Sequence, residues 1–169
     1  MHFKMSKSAY SLFENIMNTD GSHTASDKNK FMQFDIYYCC AMIGMSAIQL
    51  DTDSSDLRDI VEKYPKPYND YKAHIAGLLI ATEAKRQGIN PKSSMLEEIM
   101  LKYLSDDDTM LSEEGIKTLN AYALKGYNLL HEYPLSEKPT SREEFLEAFS
   151  VALKMYEKDE KYFGLAKEN

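Results

Sequence analysis

Phe31-Met-Gln-Phe-Asp-Ile-Tyr-Tyr-Cys-Cys-Ala-Met-Ile-Gly-Met-Ser-Ala-Ile-Gln49 is apolar nearly all the way round a helical wheel. A helix solvated along one side carries a polar face, so this segment reads as a central helix surrounded by others. The charge-free run within it, Ile36 to Leu50, is fifteen residues long. A bilayer span needs about 18 to 20 residues, so the run is a core helix and no membrane association is expected. Cys39 and Cys40 are the two cysteines. Adjacent on a helix, their side chains diverge by about 100° and cannot readily bridge each other, so they read as small core fillers and not a redox pair.

Working outward, Tyr10, Phe13, Ile16 and Met17 carry helical spacing between Ser6 and Asn18, with Ser6 or Ser8 as N-cap. Residues 19–29 collect Thr, Asp, Gly, Ser and Asn and predict a polar loop. After the Asp51–Asp56 turn, Leu57, Ile60, Val61 and Tyr64 predict a short helix stopped by Pro65. In the helix over Asp70–Arg86, Ala73, Ala76 and Gly77 keep one face thin, which would let a neighbouring helix approach closely, and Gly88 fits its C-terminal cap. Ser94 and Glu97 have capping-box spacing, Ser112 can cap a helix running to Leu130, and Gly115 and Gly126 inside it predict close packing or a bend. Thr140-Ser-Arg-Glu143 opens the clearest amphipathic helix, whose stripe is Phe145, Phe149, Ala152, Leu153 and Tyr156. Residues 164–169 are expected to fray. With no strand-like alternation of useful length, the expectation is a single all-α domain spanning residues 1–169, a bundle of six or seven helices around apolar central ones.

The totals agree. The 169 residues hold 20 Lys and Arg against 27 Asp and Glu, a net charge of −7, with seven glycines, five prolines and no tryptophan. Few chain-breaking residues favour long helices, and the acidic balance argues against a coat for nucleic acid or an anionic membrane. The first ten residues lack the apolar core of a secretory signal, which points to the cytoplasm. Twelve tyrosines and ten methionines suit adaptable contact surfaces.

Candidate chemistry is sparse. Asp51, Asp53, Ser55, Asp59 and Glu62 fall at positions 1, 3, 5, 9 and 12 of a calcium loop, but Asp56 stands where the loop needs glycine. No metal site is therefore expected; Asp53 or Ser54 would instead cap the short helix, with Asp56 complementing its dipole. Glu83 lies in an apolar run, where an unpaired carboxylate is costly, so Arg86, His74 or a tyrosine hydroxyl is its expected partner and His74 with Glu83 the candidate buried polar site. His2, His23, His74 and His131 share no motif, and no phosphate loop, zinc-protease or hydrolase signature appears, so neither catalysis nor a cofactor is expected. Lys4, Lys7, Lys28 and Lys30 bias the first thirty residues positive and are the candidate phosphate contacts. With three arginines in the chain, sequence-specific reading of DNA is disfavoured.

Phe34-Asp-Ile-Tyr37, Gly77-Leu-Leu-Ile-Ala-Thr-Glu-Ala84, Leu111-Ser-Glu-Glu-Gly115 and Leu119-Asn-Ala-Tyr-Ala123 with Gly126 resemble small helical accessory proteins of prokaryotic anti-phage defence islands, in the DNA phosphorothioation-associated group. The resemblance covers Phe31 to Phe149 and implies an accessory subunit rather than a catalyst; it carries over no catalytic residue. The leading expectation is a helical interaction subunit with a protein partner or a second copy, its association with nucleic acid indirect. The alternative is a phosphate- or nucleic-acid-binding module built on the four lysines.

Overall fold

The computed structural model describes residues 1–19 and 28–163. Most of the polar loop expected at 19–29, including His23, and the tail at 164–169 lie outside the described residues. Those described form a strand β1 (Phe3–Ser6), helices α1 (Lys7–Phe13) and α2 (Gln33–Ala47), a strand β2 (Leu57–Val61), a 3₁₀ turn (Lys66–Tyr71), and helices α3 (Lys72–Arg86), α4 (Met95–Tyr103), α5 (Glu113–Glu132) and α6 (Arg142–Phe163).

The expected all-α class is thereby corrected: the chain is mostly helical but carries an antiparallel β1–β2 ribbon. Phe3 pairs with Val61, Lys4 with Asp59, Met5 with Arg58 and Ser6 with Leu57, with an irregularity between Phe3 and Lys4. The apolar positions of 57–64 match a helical period, yet the backbone there is extended because β1 supplies the hydrogen-bonding partners. Ile60 and Val61 are β-branched and suit the pleated form. A two-stranded ribbon is marginal alone. This one is held by the ring of Phe3, which lies 5.2 Å from Phe34, 5.7 Å from Tyr37 and 5.1 Å from Tyr64.

At the centre α2 crosses α5. A Cβ at Gly44 would collide with the carbonyl oxygen of Tyr122, and one at Gly126 with that of Cys40, so the two glycines let the backbones touch. Gly115 does the same between α5 and the end of α4, where a Cβ would strike the carbonyl of Tyr103. A second aromatic cluster joins α1 to α6, with Phe13 5.3 Å and Phe31 5.4 Å from Phe145. Caps differ from expectation in detail. Ser6 caps α1 by accepting from the Ala9 N–H at 3.0 Å, whereas Ser94 makes no side-chain cap on α4. At α6 the box sits one residue later than read: Ser141 accepts from the Glu144 N–H at 3.2 Å, and the Glu144 carboxylate accepts from the Thr140 N–H at 2.7 Å.

Among the described residues, no helix is long and apolar enough to cross a membrane.

Candidate functional site

Glu83 occupies the last turn of α3 and is 0% exposed. Its Oε1 accepts from Arg86 Nε at 2.9 Å and from the Tyr122 hydroxyl at 2.6 Å. Its Oε2 accepts from Arg86 Nη2 at 2.8 Å, Gln87 Nε2 at 2.9 Å and the Tyr103 hydroxyl at 2.9 Å. The clamp therefore ties the end of α3 to the end of α4 and the middle of α5. Burial by itself would push this carboxyl up; the hydrogen bonds from Arg86, Tyr122, Tyr103 and Gln87 outweigh it and hold the group down at about 2. Reciprocally, burial and the Glu83 carboxylate push the Tyr122 hydroxyl well above its ordinary range. A stably ionised, fully donated carboxylate has neither a proton to give nor a lone pair in reach of a substrate, so it positions other groups.

His74, expected as a companion to Glu83, is exposed near the start of α3. Nine residues of helix turn it to the opposite side and place it about 13 Å along the axis. Arg86 and the tyrosines hold the role in its place.

The calcium-loop residues are drawn apart. Asp51 Oδ1 accepts from the Asp53 N–H and Asp53 Oδ1 from the Ser55 N–H, both at 3.0 Å, which are local Asx turns. Asp59 lies on β2, 3.3 Å from Lys4 Nζ and 3.5 Å from His2 Nδ1, and Glu62 is exposed beyond the strand. Asp56 does not complement a following helix, because none is there; its carboxylate accepts from the Ser8 hydroxyl at 3.0 Å and its carbonyl from the Lys7 N–H at 2.9 Å, serving α1 instead. Among the described residues, no three His, Cys, Asp or Glu side chains come together as metal ligands.

The four lysines do not share one site. Lys7 opens α1 in solvent, Lys28 is exposed with its carbonyl accepting from Arg142 Nη1 at 3.0 Å, and Lys30 is half-buried beside Phe31. Lys4 alone of the four lines a cavity of about 610 Å³ bordered by β1, α4 and α5. Burial pushes the Cys39 thiol up to about 12, with Asp35 adding to it, and Cys40 higher still, so neither is a reactive thiolate.

Sequence reasoning missed a pair of apolar depressions flanking α3. One, of about 600 Å³, lies between α3 and α4 and is walled by Gly77, Ile80, Ala81, Leu96, Met100 and Met110. The other, of about 250 Å³, lies between α3 and the end of α2, against Met42, Met45 and Ile48, and shares Ala81 and Lys85 with the first. The small-residue face was legible in the sequence, but the neighbouring helix it would admit is not against Gly77: a Cβ added there meets nothing within 4 Å. Ile48 (φ 54°) and Met110 (φ 59°), both non-glycine residues in the left-handed region, border these depressions. Such strain persists where the surroundings impose it, commonly at working surfaces.

No protein-family model matches the chain, and neither a curated protein nor a solved structure does.

Proposed function

We propose that the chain is a non-catalytic interaction subunit that receives an amphipathic helix of another protein across α3. The observation that carries this reading is the open apolar surface on both sides of a helix whose outer face is Gly77 and Ala81. The floor from Ala73 to Ala84 is about 17 Å long, three turns of a docked helix. Small side chains admit a helix at close range, and methionines on both walls adapt to its apolar stripe. Tyr71, Met95, Met100, Leu101 and Met110 are large apolar residues left exposed on or beside the same hairpin. The sequence likeness to accessory proteins of phosphorothioation-associated defence supports a partner in a cytoplasmic, DNA-associated assembly that this chain joins without reading DNA itself.

The test compares the tagged full chain with its Ala81→Arg variant in purification from the native host, with and without nuclease, followed by mass spectrometry and light scattering. A stoichiometric, nuclease-resistant protein lost in Ala81→Arg is the expected result. Retention by the variant, release by nuclease, recovery alone, or a homodimer in place of a foreign partner would each overturn the reading.

A further inference from the structure

The cavity of about 610 Å³ shares no lining residue with the α3 depressions, and several charged side chains join the apolar ones in its wall. Lys4, Arg86, Lys102 and Lys117 line it together with the carboxylates of Asp51 and Glu114; Asp59 pairs with Lys4 at 3.3 Å and Glu83 with Arg86, which leaves Lys102 and Lys117 as the cations without a carboxylate of their own in a described ion pair. Arg86 is the fixed member. Its Nε and Nη2 are held by the buried Glu83 carboxylate, so the guanidinium is immobilised, while its Nη1 amino group takes no part in that pair. The side chain remains 37% exposed and borders the cavity together with Tyr103, another donor to Glu83. Burying a carboxylate under five donors is costly as a stabilising device. It does, however, pre-organise a planar donor group at the wall of a cavity, and a pre-organised group gives up less entropy on binding.

Lys102 and Lys117 are exposed and border the same space as Arg86 from α4 and α5, and Lys4 borders it from β1 with its ammonium paired to Asp59. Several cations converging on one space match an anion with several oxygens better than a single carboxylate. The volume lies within the range of small-ligand sites, roughly 300 to 1,000 Å³, and exceeds what a bare ion needs. Leu50, Leu57 and Ala121 supply an apolar wall for an organic part, and Asp51 and Glu114 supply acceptors for hydroxyl groups.

We propose that this cavity binds a phosphorylated, hydroxyl-bearing small molecule, with the Glu83-anchored Arg86 and Lys102 and Lys117 contacting the phosphate and Asp51 and Glu114 accepting from the hydroxyls. The site differs from the one expected from sequence, since Lys7, Lys28 and Lys30 are not among its lining residues.

The test is a titration of the isotope-labelled full chain with ribose 5-phosphate, followed by amide chemical shifts, with ribose and inorganic phosphate as separate arms. Saturable shifts concentrated at residues 51–54, 102–103 and 117–121 are expected, with ribose 5-phosphate binding more tightly than either fragment. Arg86 variants endanger the fold, so the decisive change is Lys102→Ala with Lys117→Ala, two exposed positions outside the clamp. That double variant is expected to weaken binding about tenfold, and Lys28→Ala to leave it unchanged. Absence of saturable shifts up to about 10 mM, unchanged affinity in the double variant, or loss in Lys28→Ala would overturn the proposal.

Discussion

A carboxylate with no solvent contact sets the chemistry at the scale of single residues. Glu83 is stable as an anion because Arg86 is bidentate to it and Tyr103, Tyr122 and Gln87 fill the remaining lone pairs. Glu83→Gln leaves a guanidinium without its counter-charge and turns one acceptor into a donor facing donors; a loss of about 3 kcal/mol is expected in urea unfolding. Tyr122→Phe removes one hydrogen bond to a charged group and is expected to cost about 2 kcal/mol. The folded carboxyl titrates at about 2 against an ordinary 4.5, so the unfolded chain takes up the proton first as pH falls. The stability this group contributes is complete above pH 4.5 and is lost on descending toward pH 2; Glu83→Gln should show a shallower acid slope over that window.

At the scale of elements, helices with a one-sided stripe were legible from residue spacing alone. Phe145, Phe149 and Ala152 predict α6 because the period is local and its core neighbours need not be known. The β1–β2 ribbon was not legible, since the pairing of Lys4 with Asp59 is decided by a segment more than fifty residues away, and Leu57, Ile60 and Val61 follow the helical period and not the alternation of a strand. The same limit applies to sites. That Glu83 needed a partner could be read from its apolar surroundings, but the choice of Tyr103 and Tyr122 depends on how α4 and α5 pack. Lys102 and Lys117 join Arg86 through tertiary placement, with no motif to mark them. Glycines separate the two situations cleanly. Gly77→Ala fills open space at an exposed position of α3 and should raise stability by about 0.5 to 1 kcal/mol. Gly44→Ala drives a methyl group into the α5 backbone and should lower it by about 3 kcal/mol or unfold the protein, as thermal melts of the pair would show.

Across the whole molecule, the helical centre and the ribbon meet at Asn120. Its Oδ1 accepts from the Lys4 N–H at 3.0 Å and the Tyr37 hydroxyl at 2.9 Å, and its Nδ2 donates to the His2 carbonyl at 3.2 Å. Asn120→Ala is expected to cost about 2 to 3 kcal/mol and to expose the amides of β1 and β2 to hydrogen exchange while those of the α2–α5 crossing stay protected. Uniform loss of protection would show that ribbon and centre unfold as one unit.

That junction also has a bearing on how the chain is made. Lys4 and Asn120 stand 116 residues apart, so the ribbon's anchor does not exist when its first strand leaves the ribosome. At about 5 to 20 residues per second, the wait is on the order of ten seconds. Throughout it, Phe3 and Met5 lack the finished core that later covers them, a nascent segment of the kind that holding chaperones retain.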